Sequence, residues 1–149
     1  MEKIKPLLLD FLQAGDDFKR ILVVENLAYL PGLRERFPAA ELTAVGTNSR
    51  ATEAMLKSGC TRAATGENAV IVACRTADVI VGPLGIAIAD SLLGEITPAM
   101  ANAVASSRAA RVLIPMNLCD TYVAGANQPA SALIRDAMER IAAIAAGEA

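Results

Sequence analysis

The chain has 149 residues, a formal net charge of −2 and no histidine, so Ser-His-Asp and Cys-His catalysis and histidine-ligated metals are excluded. One domain spanning 1–149 is expected, because a chain of about 150 residues buries roughly 70% of its unfolded surface and needs no disulfide or metal to hold a core. Hydrophobic residues make up 54%, which excludes a disordered chain, and the slight acidic excess argues against a partner held by its nucleic-acid backbone.

Met1 to Gly15 carries Glu2, Lys3, Lys5 and Asp10, too many charges for a signal peptide. No run of uncharged apolar residues is long enough for a membrane span. Cys60, Cys74 and Cys119 are scattered and odd in number, as suits reduced thiols in a cytoplasmic protein. Each reads first as a small buried hydrophobe; Cys119 is the exception, because it falls in a polar loop.

In chain order, Ile4, Leu7, Leu8, Phe11 and Leu12 recur at i, i+3, i+4, i+7 and i+8, one apolar stripe of a helix that Gly15 would close. Ile21 to Val24 is a continuous apolar run, the mark of a strand buried on both faces. A short helix is expected from Pro31 to before Pro38, then a strand over Glu41 to Val45. Gly46-Thr47-Asn48-Ser49 turns into a helix from Arg50 to Ser58, closed by Gly59. Thr61 to Thr65 reads as a weak strand and Glu67 to Cys74 as a helix.

Asp78 to Val81 is a clear strand, broken by Gly82-Pro83-Leu84-Gly85 and followed by a helix to about Leu93. Thr97-Pro98 opens another helix, Thr as N-cap and Pro in the first turn, with Met100, Ala103, Val104 and Ser107 on one face. Arg111 to Pro115 is a strand, Thr121 to Ala124 a short final one, and Pro129 to Ala146 the last helix. Ile134, Met138, Ile141 and Ala145 form its apolar stripe, with Asp136–Arg140 and Arg135–Glu139 pairs at i,i+4. Strands and helices alternate singly, which implies right-handed crossovers and a three-layer α/β/α sandwich of Rossmann-like kind with a mostly parallel sheet.

Ligands of such sheets bind beyond the carboxyl ends of the strands, and the polar clusters fall there: Glu25-Asn26, Gly46 to Ser49, Gly82 to Gly85, and Asn117 to Asp120. Gly46, Thr47, Asn48 and Ser49 are the leading anion candidate, since a tight turn would bring hydroxyls and free N–H groups to a helix N-terminus; ordinary N-capping by Thr47, Asn48 or Ser49 is the alternative. Thr65, Gly66 and Asn68 form a second polar turn, in which Thr65 would cap a helix and Glu67 would favour its first turn or act as a base. Gly82, Pro83 and Gly85 would let backbone approach a ligand or make a turn of unusual dihedrals. Asp90 and Ser91, inside an apolar helix, would face a polar cavity or bond locally. Glu95 and Thr97 flank a helix start. No G-x-G-x-x-G or Walker motif is present, and no cofactor is identified.

From Gly46 onward the chain resembles a bacterial family known as domain of unknown function 3842. The resemblance rests on Gly46-Thr47-Asn48 with Ala51-Thr52 and Ala54-Met55-Leu56, Ala64-Thr65-Gly66-Glu67-Asn68-Ala69, Asp78-Val79-Ile80-Val81-Gly82-Pro83-Leu84-Gly85-Ile86, Leu93-Gly94-Glu95-Ile96-Thr97-Pro98-Ala99-Met100, and Pro115, Asn117 and Cys119. It implies no particular reaction. Such a family opens with a strand and a glycine-rich loop like that of dinucleotide-binding proteins; here a helix comes first, and Asn26, Leu27, Ala28 and Tyr29 stand where those glycines would be. A fainter similarity, to the methylglyoxal-synthase-like phosphate-binding fold, also has a strand running into a Gly-Thr turn and a helix.

The expected function is the binding of a small molecule bearing phosphate or carboxylate, nucleotides among them, with the anion at Gly46 to Ser49 and with Gly82 to Gly85 and Asn117 along the pocket. One alternative is an enzyme using Glu67 or Glu95 as acid/base, with Cys119 a weaker nucleophile candidate. The other is a structural or regulatory subunit, for which the apolar faces of the first and last helices suggest a homodimer.

Overall fold

Ile21, Leu22, Val23 and Val24 place apolar side chains on both sides of a strand, so helices must lie on both sides of it. The computed structural model describes residues 20–25, 30–116 and 120–148, and in it β1 (Arg20–Val24) is the middle strand of a five-stranded sheet. The others are β2 (Glu41–Gly46), β3 (Arg62–Thr65), β4 (Val79–Pro83) and β5 (Ala110–Ile114). Their order is β3-β2-β1-β4-β5, and every pairing is parallel, with Ile21 opposite Leu42 on one side and Val79 on the other. This is a Rossmann-like α/β fold.

Alternate residues of β1 feed two cores. Ile21 and Val23 pack with Leu33 of α1 (Leu30–Arg36), Met55 of α2 (Ser49–Lys57), and Ala137, Met138 and Ile141 of α5 (Ala130–Ala145). Leu22 and Val24 pack with Val70 and Cys74 of α3 (Glu67–Cys74) and with Met100 and Val104 of α4 (Pro98–Ser106). The first two crossovers put helices on one face and the next two on the other, which moves the chain from the β3 edge of the sheet to the β5 edge.

The caps follow the local chemistry. Thr97 Oγ1 accepts from Met100 N–H at 3.2 Å with Pro98 in the first turn, as expected. Asn48 Oδ1 accepts from Ala51 N–H at 2.9 Å and opens α2. Thr65, by contrast, is no cap: Gly66, at φ +100°, holds that position, with no side-chain hydrogen bond, and Thr65 ends β3.

Three other expectations need correction. No helix runs from after Gly85 to Leu93; a single 3-10 turn, Leu84–Ala87, is followed by turns, because Asp90, Leu92 and Leu93 take positive φ that an α-helix excludes. Asp90 and Ser91 therefore lie in this turn region. Thr121 to Ala124 is not a strand: a turn at Ala124-Gly125, with Ala126 N–H bonded to Val123 O, replaces it. Glu139 reaches Arg36 of α1 at 2.8 Å, whereas Asp136–Arg140 is the expected i,i+4 contact, at 3.5 Å. The helix expected over the first 15 residues lies outside the described residues, as do Asn117 and Cys119. Among the described residues no helix is long and apolar enough to cross a membrane.

Candidate functional site

In a sheet of this order the connections from β1 and β4 leave in opposite directions, which opens a crevice at the carboxyl ends of those two strands. Because all five strands are parallel, the residues that follow them share that edge. Glu25 follows β1, Thr47 to Ser49 follow β2, Gly66 to Asn68 follow β3, and Leu84-Gly85 follow β4. A backbone bond of 2.9 Å from Gly66 N–H to Gly46 O ties the β2 and β3 ends together.

Two carboxylates meet at the turn after β2. Glu25, held at φ +59°, turns its side chain so that Oε1 accepts the N–H of Thr47. Glu95, in the segment after β4, reaches the same turn: its Oε2 accepts from Thr47 Oγ1 at 2.9 Å and its Oε1 from Asn48 Nδ2 at 3.5 Å. The hydroxyl and amide expected to hold an anion thus hold the protein's own carboxylate. Asn48 both caps α2 and contacts Glu95. Ser49, the first residue of α2, is exposed.

Beneath this turn Thr52 is buried, its hydroxyl 2.7 Å from that of Thr65, 3.1 Å from Asn48 O and 3.2 Å from Ala64 O. The Thr65 hydroxyl expected to serve a helix cap or a ligand therefore braces α2 against β3. Gly66, Glu67 and Asn68 sit at the start of α3, with Glu67 and Asn68 exposed in its first turn.

The glycines of the rim are explained by the chain itself. A Cβ on Gly46 would stand 2.5 Å from Thr52 Oγ1 and one on Gly82 2.5 Å from Val24 O, so both make room for neighbouring protein. Gly82 and Pro83 are buried, and the space they leave is filled by protein. Gly85 is close to Ser91, whose hydroxyl donates to Gly85 O and pins the 3-10 turn to the loop that carries Glu95.

The thiols among the described residues, Cys60 and Cys74, are poor nucleophiles. Cys74 is buried and its pKa is pushed up to about 11 by desolvation, and burial also raises that of Cys60. Among the described residues no group of three or more Cys, Asp or Glu could hold a metal ion.

Glu25 was visible in the sequence only as a polar residue after a buried strand; its engagement of Thr47 depends on β1 and β2 being neighbours. Thr52 stood out only within the Ala51-Thr52 stretch of the family resemblance, since threonine in a helix is otherwise ordinary. The model of a family described as Domain of unknown function (DUF3842) matches residues 28–146. No curated protein matches the chain.

Proposed function

The chain belongs to the DUF3842 family, and on that footing we propose that it binds a small molecule through a phosphate or carboxylate group placed at Thr47 and Asn48. The observation that carries this reading is the carboxylate of Glu95 against the Thr47 hydroxyl and the Asn48 amide. A pair of donors that takes one carboxylate has the geometry to take another anion, and the first-turn N–H groups of α2 and its positive end add to the attraction. Glu95 is exposed and sits in a loop tied down mainly by local backbone bonds, so an incoming anion has only weak, solvent-screened contacts to displace.

Glu95 is then an internal competitor, and removing its charge favours the ligand. Thermal-shift screening of nucleotides, sugar phosphates and organic acids should find a stabilising anion. Glu95→Gln should tighten binding of that compound by about fivefold, the worth of exchanging one charged hydrogen bond for a neutral one. Thr47→Val should weaken it by a similar factor. No stabilisation by any anion in either the natural chain or Glu95→Gln would overturn the reading.

A further inference from the structure

The two sides of the sheet are unequally covered. Among the described residues, α1, α2 and α5 lie on one face, and the helices on the other are α3 and α4. On that second face a cleft of about 480 Å³ lies over β2 and β3, floored by Thr43, Val45 and Ala64 and walled by Ala69 and Val72 of α3. Val72 is 46% exposed although it belongs to an apolar helix wall. A parallel sheet is ordinarily covered on both faces, and the described residues leave this stretch of it as a cleft.

The cleft begins at the amino ends of the strands, where Arg20, Glu41 and Arg62 line it. Arg62 and Glu41 pair at 3.0 Å across its mouth. Arg20 is also where the chain enters β1, and the 19 residues before it lie outside the described residues. Their sequence has the apolar spacing Ile4, Leu7, Leu8, Phe11 and Leu12, with Glu2, Lys3, Lys5 and Asp10 off that stripe. Nine residues in helical form span about 14 Å, against about 20 Å for the six residues of β2, so the stripe fits within the length of the cleft. Residues 13–19 reach up to roughly 23 Å when extended, enough to turn the chain back from Arg20 onto the sheet.

We propose that the occupant of this cleft is the chain's own segment 1–12, seated with the stripe of Ile4, Leu7, Leu8, Phe11 and Leu12 against Thr43, Ala64 and Val72. The segment completes the third layer over β2 and β3. Thr65 and Asn68 line the same cleft at its other end, so the seated segment reaches the start of α3, next to the rim that carries Thr47.

The test is a pair of cysteine cross-links in the full chain with Cys119→Ser. Cys60 and Cys74 remain, buried and with raised pKa values. One variant carries Leu8→Cys with Val72→Cys; the control carries Leu8→Cys with Leu56→Cys, an exposed site on α2 and hence on the opposite face. Under mild oxidation the proposal predicts at least about tenfold more 8–72 than 8–56 disulfide, because seating raises the effective concentration of one thiol beside the other. The product must run as a monomer. Equal yields for the two pairs, absence of the 8–72 link, or an 8–72 link joining two chains would overturn it, the last by making a second copy the occupant.

Discussion

Gly82 sits where β4 lies against the last carbonyl of β1, and a methyl group there would come within 2.5 Å of Val24 O and 2.8 Å of Ile86 Cδ1. The backbone oxygen cannot give way without disturbing the ladder between the two central strands. Gly82→Ala should therefore lower stability by about 1–3 kcal/mol, the usual range for overpacking; urea denaturation with an unchanged m-value would measure it. A change below about 0.5 kcal/mol would mean that the strands separate easily at this point. From the sequence, Gly82 reads as a residue that admits a ligand. Its partner is Val24, 58 positions earlier, and that proximity exists only once β1 and β4 are side by side. Thr47 was the more legible residue: a hydroxyl after a strand and before a helix faces the strand-end edge in any parallel α/β arrangement, and here its hydroxyl donates to Glu95 and its N–H to Glu25.

Among the elements, α1 and α5 are joined by the Arg36–Glu139 pair, 2.8 Å long and largely exposed. The Arg36 side chain, by hydrogen bond and charge, holds the Glu139 carboxyl below its ordinary pKa of 4.5. A lowered folded-state pKa stabilises the fold above the unfolded value and loses that effect as pH falls through the folded value. Arg36→Gln should therefore reduce stability near pH 7 by less than about 1 kcal/mol, because solvent screens the pair. The gap from the natural chain should close below the folded-state pKa. Thermal melts from pH 7 down to pH 3 measure this, and a gap that widens on acidification would contradict it. Helix periodicity made α5 and its Asp136–Arg140 contact legible, but i,i+4 spacing offered Glu139 only Arg135. The competing guanidinium comes from a helix about 100 residues away in sequence and prevails through tertiary packing. The segment after Gly85 misled for a different reason: its apolar residues suit a helix, yet Asp90, Leu92 and Leu93 adopt left-handed backbone, and the loop they form presents Glu95 to the β2 turn.

Across the whole molecule, alternation of apolar runs with amphipathic segments made the three-layer architecture legible, since consecutive parallel strands need helical crossovers. Strand order was not legible, because β1 beyond Arg20 and β4 are each apolar and nothing in their composition says which strand lies beside which. The order β3-β2-β1-β4-β5 is what brings Glu25, Thr47 and Glu95 to one place, so the polar rim follows from topology more than from any single motif. The most direct measurement is an amide NMR titration of the natural chain and of Glu95→Gln with inorganic pyrophosphate and with citrate. The account predicts that one of these anions shifts the amides of Thr47, Asn48, Ser49 and Arg50 most, and that Glu95→Gln saturates at lower concentration. Unmoved amides at Thr47 and Asn48 in both proteins, or shifts centred away from the carboxyl ends of the strands, would contradict it.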